Sequence, residues 1–189
     1  HCSVNPSLGF EDFERRLPPV RIPKQVLVIG GGPAGMVAAQ TLRRRGHTVM
    51  LCEATRRLGG KLIDAAAPEC KGYMKRYLEW LDRETKECGA IIQFNAKITP
   101  ELVENLSPDA ILVATGSVYL RPSIPGIDLP HVVMLADFHR DPGQAGQRVV
   151  VCGGGSAGLA CALALARAGK AVTLVDQLPL ASVASGMRT

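Results

Sequence analysis

Three glycines, Gly30, Gly32 and Gly35, stand in G-x-G-x-x-G spacing, and an acid, Glu53, follows the last of them by 18 residues. This is the chemistry of holding a ligand rather than of making bonds. Gly30 allows a tight turn, Gly32 leaves no side chain between the backbone and a pyrophosphate, and Gly35 lets a helix pack closely on a strand. Unpaired amides at the start of that helix, with the positive end of its dipole behind them, suit an anion. Glu53 would accept hydrogen bonds from ribose hydroxyls. The same residue types return later: Gly153, Gly155, Gly158 and Asp176 lie 123 positions after Gly30, Gly32, Gly35 and Glu53. Agreement in register over four positions marks an internal repeat.

The elements that must hold these residues are legible around them. Gln25 to Ile29 reads as a fully buried parallel strand, Met36 to Arg45 has the length and Ala/Leu content of a helix, and Thr48 to Cys52 is a second apolar strand closed by Glu53. Together they form a βαβ dinucleotide-binding fingerprint. A glycine-rich turn with no ligand is the competing reading, and the strand, helix and terminal acid in order weigh against it. Around the second glycine set, a strand over Arg148 to Cys152, an Ala/Leu helix over Leu159 to Ala168 and a strand ending at Asp176 repeat the pattern. For this copy an apolar α/β repeat without a ligand stays open, because less of it is present. The fold class is therefore α/β, a Rossmann-like parallel sheet with flanking helices followed by the start of a second such unit. Residues 1–24 read as a connector, 25–146 as the first nucleotide-binding unit and 147–189 as the opening of the second.

Composition narrows the function classes. Of 189 residues 47% are hydrophobic, which is ordinary for an α/β protein. Only 4% are aromatic, which argues against a stacking surface for nucleic acid. The net charge of +5 is scattered, and its one dense run, Arg43 to Arg45, falls at a helix end where solvated cations complement the dipole. No window approaches 18 consecutive apolar residues, so no membrane span is expected. Six cysteines occur without a C-x-x-C pair, and Cys52 and Cys152 fall in core strands as small hydrophobes. That usage points to a reducing, cytoplasmic compartment. The chain begins at His1, without a Met or a secretory leader, which suggests a fragment, a processed product or a trimmed form, and the early stop of the second unit at Thr189 makes a piece of a larger enzyme the expectation.

Along the rest of the chain, residues 1–24 carry Pro6, Pro18, Pro19 and Pro23 and show no regular period. Gly59 and Gly60, just beyond Glu53, permit another close backbone approach. Residues 71–87 place Tyr73, Met74, Tyr77, Leu78 and Leu81 on one apolar helix face, ended by Gly89. Ile91 to Phe94 is a third strand, Thr99 caps a short helix ending near Leu106, and Ala110 to Ala114 is a buried strand. It runs into Thr115-Gly116 and the proline-rich segment 121–130, an exit consistent with backbone passing close to a cofactor. Residues 140–147 look like a linker.

Gly30 to Gly35, Glu53, Gly59-Gly60, Ala114-Thr115-Gly116 and the second glycine motif together resemble the flavoproteins with two dinucleotide-binding domains. The opening Cys2-Ser3-Val4-Asn5-Pro6 is similar to the junction in the NADH:flavin oxidoreductase group of 2,4-dienoyl-CoA reductase, trimethylamine dehydrogenase and histamine dehydrogenase. The resemblance implies FAD, its ADP half against Gly30, Gly32, Pro33, Ala34, Gly35, Glu53 and Ala54. The remainder would run along Gly59, Gly60, Lys61, Ala114, Thr115 and Gly116. It implies NAD(P)H against Gly153, Gly155, Ser156, Gly158 and Asp176. It also implies an upstream barrel domain of the same chain carrying FMN and a 4Fe-4S cluster, with Cys2 as one cluster ligand; by its residues alone Cys2 is a free thiol, since a cluster needs four. One departure is Ala160, where many of these reductases place an acid. Asp176, with no Arg directly after it, favours NADH over NADPH, since an acid there bonds the ribose 2′-OH and repels a 2′-phosphate.

The implied activity is electron entry: hydride from NAD(P)H to FAD, then single electrons to the cluster and FMN. No side chain stands out as general acid, base or nucleophile. A disulfide reductase would need a C-x-x-C pair and a short-chain dehydrogenase a Y-x-x-x-K, and neither occurs. The alternative of another class is an ADP-binding electron-transfer scaffold with a vestigial nicotinamide unit. The expected partners are small-molecule nucleotides, with no nucleic acid and no membrane.

Overall fold

A computed structural model describes residues 8–12 and 18–179. The chain divides by its internal contacts into two units, His1–Ile63 with Tyr73–Val118, and Asp64–Gly72 with Tyr119–Thr189.

The first unit is built on β1 (Gln25–Ile29), α1 (Pro33–Arg44), β2 (Thr48–Cys52), α3 (Gly72–Glu87), β3 (Ile91–Gln93), α4 (Pro100–Leu106) and β4 (Ala110–Val113). A short helix, α2 (Lys61–Ala66), precedes α3. The four strands are parallel in the order β3-β2-β1-β4, with Val26 opposite Val49 and Ala110, and Val28 opposite Leu51 and Leu112. Apolar residues dominate all four strands, as they do in parallel sheets, but only β1 and β2 are well covered. Strand β4, expected as a buried strand, leaves Ile111 48% and Val113 69% exposed, because alternate residues face away from the core. Val26, Val28, Val49 and Leu51 pack with Met36 and Ala39 of α1 and Leu81 of α3. Each of these valine, leucine and methionine side chains contributes about 1.5–3 kcal/mol when fully buried.

Helix α1 starts at Pro33, three residues before the expected Met36. Proline at the first helical position has its φ preset and lacks only an amide that would be unpaired there anyway. The helix Ser156–Arg167 of the second unit likewise begins three residues before the expected Leu159. Helix α4 is capped as expected, the Thr99 hydroxyl accepting from the Leu102 amide at 3.4 Å.

Two further expectations in this unit need correction. Tyr73 is 45% exposed, and the buried stripe of α3 ends instead on Thr85. A polar residue can lie there because its hydroxyl donates to the Leu81 carbonyl at 2.7 Å and accepts from the Gln40 amide at 2.9 Å. The arginine run is not a freely solvated terminus. Only Arg44 is exposed, while Arg43 folds back to donate to the His47 carbonyl at 2.7 Å.

The second unit contains α5 (Leu135–Arg140), β5 (Arg148–Cys152), α6 (Ser156–Arg167) and β6 (Ala171–Val175). Strands β5 and β6 are parallel, Val151 facing Leu174. Ala160, Cys161 and Leu165 of α6 are buried. Cys152, expected in the core, is exposed. Exposure alternates along β5, and Cys152 shares its exposed face with Val150, while Val151 on the opposite face approaches α6 at Gly158.

Candidate nucleotide-binding site

The site of the first unit is assembled where β1 ends. Gly30, with φ +110°, turns the chain in a conformation that a side chain would strain, and a Cβ there would overlap the Ala114 carbonyl oxygen. The Gly30 amide donates to the Cys52 carbonyl at 2.8 Å, and the Ala114 amide to the Ile29 carbonyl at 2.8 Å. The glycine turn is thus fixed between the ends of β2 and β4. A Cβ at Gly35 would overlap the Gly30 carbonyl oxygen, so the helix can approach the turn only with glycine at this position.

Gly32 differs. Its φ of −74° and ψ of 177° suit any residue, and a Cβ there would come only within 4.0 Å of Gly60 Cα. Neither backbone nor packing demands glycine. No side chain caps the helix that Gly32 opens, so its first amides keep no side-chain acceptor. An open space lined by backbone, at the positive end of a helix, is what a phosphate requires. The residues present therefore fit a dinucleotide.

Glu53 is 8% exposed, and its carboxylate is held from both sides. Oε2 accepts from the Gly31 amide at 2.7 Å and Oε1 from the Thr55 amide at 2.8 Å. Two accepted bonds leave lone pairs on a carboxylate that can take about four, so the group can still receive a ribose hydroxyl. Gly59 and Gly60 lie against the same turn: the Gly59 amide donates to the Gly31 carbonyl at 2.8 Å, and a Cβ at Gly60 would stand 3.0 Å from Gly32 Cα. Leu58 is buried beside Gly31. Pro33 and Ala34 form the first turn of α1, Ala54 follows Glu53 on the exposed side, and Lys61 opens α2. Thr115 and Gly116 are exposed beyond β4, with open space around Gly116. Cys2 lies outside the described residues.

The second unit repeats the turn, its backbone bonds and its acid at the same offset, with Asp176 in place of Glu53 and open space where Ala114 lies against Gly30. Gly153 has φ +111°, its amide donates to the Val175 carbonyl at 2.8 Å, and a Cβ at Gly158 would overlap the Gly153 carbonyl oxygen. Gly155, at φ −68° with nothing within 4 Å of a Cβ, is again a glycine that the fold does not require. Ser156 is the first residue of α6. The Asp176 carboxylate accepts from the Gly154 amide and, at 2.7 Å, from the Leu178 amide. These bonds hold its pKa below the usual aspartate range.

Sequence reasoning missed Gly31, Thr55, Gly154 and Leu178, whose amides orient the two acids. Their signal was present, since Gly154 and Leu178 lie 123 positions after Gly31 and Thr55. Among the described residues there is no group of three or more His, Cys, Asp or Glu placed to hold a metal, and no helix long and apolar enough to cross a membrane.

Fold and site together define an α/β dinucleotide-binding protein with two copies of one glycine-turn unit. Residues 24–186 match the pyridine nucleotide-disulphide oxidoreductase family, and the chain belongs to it. It is 36% identical over 181 residues to an NADH oxidase of Thermoanaerobacter brockii, covering 94% of this chain and 28% of that protein. It is 35% identical to a cinnamate reductase of Clostridium sporogenes, covering 93% and 26%. A solved structure of 2-naphthoyl-CoA reductase superposes with a TM-score of 0.81 at 30% identity, covering 92% of this chain and 26% of that one. The chain thus spans 26–28% of the length of these relatives, which by name are an oxidase and two reductases.

Proposed function

We propose that this chain is the nucleotide-binding portion of an FAD-dependent NAD(P)H oxidoreductase. Its residues 25–146 hold FAD, and residues 147–189 open the unit for a nicotinamide dinucleotide, NADH in preference to NADPH. The observation that carries this reading is Gly32 with its counterpart Gly155: each opens a helix at a place where folding alone would accept a side chain. FAD, when bound, supplies the acceptance of hydride and the release of single electrons.

The chain's own residues bind and orient. The first-turn amides of α1, beside Gly32, neutralise the pyrophosphate, and Glu53, aimed by the Gly31 and Thr55 amides, receives the adenosine ribose. Gly59, Gly60, Thr115 and Gly116 allow close passage of the rest of the molecule. In the second unit Gly155 and Asp176 take the corresponding parts of the nicotinamide cofactor, and Asp176 disfavours a 2′-phosphate. In the intact protein, Cys2 serves a 4Fe-4S cluster at the boundary with an FMN-bearing barrel domain. No described side chain is needed as an acid or base.

A second reading, an ADP-binding scaffold with a vestigial nicotinamide unit, draws on Ala160. Helix α6 buries this residue to 7% exposure, so the position presents no carboxylate to a cofactor. Anaerobic addition of NADH to the full-length protein separates the two. Loss of flavin absorbance at one equivalent supports the reductase, and an unchanged spectrum with flavin or ADP bound supports the scaffold.

A further inference from the structure

The internal repeat extends beyond the glycine turns to the residue just before the second strand of each unit. His47 stands there in the first unit and Lys170, 123 positions on, in the second. Their backbones are held alike: the His47 amide donates to the Leu42 carbonyl and the Lys170 amide to the Leu165 carbonyl, both at 3.1 Å. The next amides, of Thr48 and Ala171, donate to the Lys24 and Gln147 carbonyls at 3.0 and 2.9 Å. In each unit the start of that strand is therefore tied to the last residue of the segment by which the chain enters.

The side chains grip the entering segment by opposite chemistry. Lys170 donates from Nζ to the Ala145 and Gly146 carbonyls at 2.7 and 3.0 Å. His47, 8% exposed, instead accepts at Nδ1 from the Lys24 amide at 3.1 Å. A ring nitrogen that accepts carries no proton, so the hydrogen of the neutral ring is on Nε2. A second proton would make Nδ1 a donor as well, facing the Lys24 amide with no acceptor between the two. Proton gain cannot undo the Lys170 bonds in this way, because there the side chain already donates.

Four charged residues surround the His47 junction. Arg43 donates to the His47 carbonyl at 2.7 Å, and the Arg45 carbonyl accepts from the Val20 amide at 2.9 Å. Lys24 carries the amide that His47 accepts, and the Asp109 carboxylate is engaged by the Gln25 amide at 2.7 Å. Three of the four are cations, and the one acid already serves a backbone donor.

We propose that His47 is a pH-sensitive clasp on the segment entering the first unit, which holds residues 20–24 while its ring is neutral and releases them on protonation. Imidazole is the side chain that changes charge between about pH 5 and pH 8, so the grip is complete at the upper end of that range and is lost toward the lower. The clasp works whichever nucleotide the glycine turns bind. Where residues 1–24 lead to a cluster-bearing domain, as proposed above, acid loosens that junction.

The test is hydrogen exchange of the full-length protein, read by mass spectrometry on peptides spanning residues 18–25, in which Val20 and Lys24 supply the bonded amides. Rates are taken at about pH 5.5 and about pH 7.5, within the histidine range, and corrected for the intrinsic effect of pH on exchange. Wild type is compared with His47→Asn, which places an accepting oxygen near the site of Nδ1 but does not titrate, and with His47→Lys. Lysine reproduces the second unit, since Ile22 and Pro23 are the counterparts of Ala145 and Gly146. We expect the wild-type segment to exchange about 5–10-fold faster at the lower pH, the scale of losing one partly buried hydrogen bond. Both variants should hold the segment with less than about a twofold change, well below that scale. Equal protection of the wild-type segment at both pH values, or the wild-type loss in acid persisting in either variant, would overturn the proposal.

Discussion

The Glu53 carboxylate accepts the Gly31 amide at 2.7 Å, a bond that ties the end of β2 to the middle of the glycine turn. The Asp176 carboxylate accepts the Gly154 amide in the same way, with one methylene fewer. The acid in each copy is thus a structural member of the turn before it meets any ribose. The sheet, the helix start and the ligand contact share one side chain.

Substitution at Glu53 should separate charge from shape. In Glu53→Gln the side-chain amide must present a donor to one of the two backbone donors, Gly31 or Thr55. The expected loss is about 1–3 kcal/mol of stability, read from urea unfolding, together with loss of nucleotide. Glu53→Asp should keep the turn, since Asp176 makes the equivalent bonds. A Gln variant as stable as wild type would mean that these amide bonds contribute nothing.

Gly32 and Gly35 should respond in opposite ways. Gly32→Ser gains a helix cap and has room for its Cβ, so stability should hold or rise by a few tenths of a kcal/mol while nucleotide binding falls at least tenfold. Gly35→Ala must push the helix off the Gly30 carbonyl and should lower stability by several kcal/mol, on the order of other overpacked cores. Isothermal titration and thermal melts on both variants give the comparison.

The corrected face of α3 is testable by contrast. Leu81, fully buried, should cost about 2–5 kcal/mol on replacement by alanine. Tyr73→Ala should stay within about 0.5 kcal/mol, as surface changes do. Equal losses at the two positions would restore the stripe read from the sequence.

Acid should weaken the cluster of the second unit in which the buried Asp64 carboxylate accepts from the Tyr119 hydroxyl at 3.2 Å and lies 3.6 Å from Arg140. Burial holds the His139 imidazole below its ordinary range, against the opposing pull of Asp64, while Lys71 adds to the lowering. A histidine whose folded pKa is depressed binds its proton more readily unfolded, so the stability it allows is complete above about pH 6.5 and is lost as pH falls below it. Tyr119, raised chiefly by burial and next by Asp64, stays protonated across this window. Unfolding curves between pH 5 and pH 8 (about the range over which a histidine titrates) should show this slope in wild type and a shallower one in His139→Gln.

Much of the site was readable because its residues are punctuated by what they lack. Continuous apolar runs betrayed β1, β2 and β4, and the glycine spacing with its terminal acid located the turns. Gly31 escaped because it occupies a free position in the motif, where its amide matters and its side chain does not. Helices α2 and α5, six residues each, are too short to show a period. Thr85 was hidden because a polar residue reads as surface until its hydroxyl is seen to be satisfied within the helix. Cys152 misled for the converse reason: an apolar strand reads as covered on both faces, and β5 exposes alternate residues. Asp64 had no local signal at all, since its partners are 55 and 76 residues distant.

The central claim is that the first glycine turn holds FAD. The most direct measurement is to denature the purified full-length protein and identify the nucleotide it releases, by absorbance and mass, with Gly32→Ser prepared in parallel. The account predicts about one FAD per chain from wild type, as one dinucleotide site requires, and little from the variant. ADP or AMP without flavin, or equal FAD from both proteins, would contradict it.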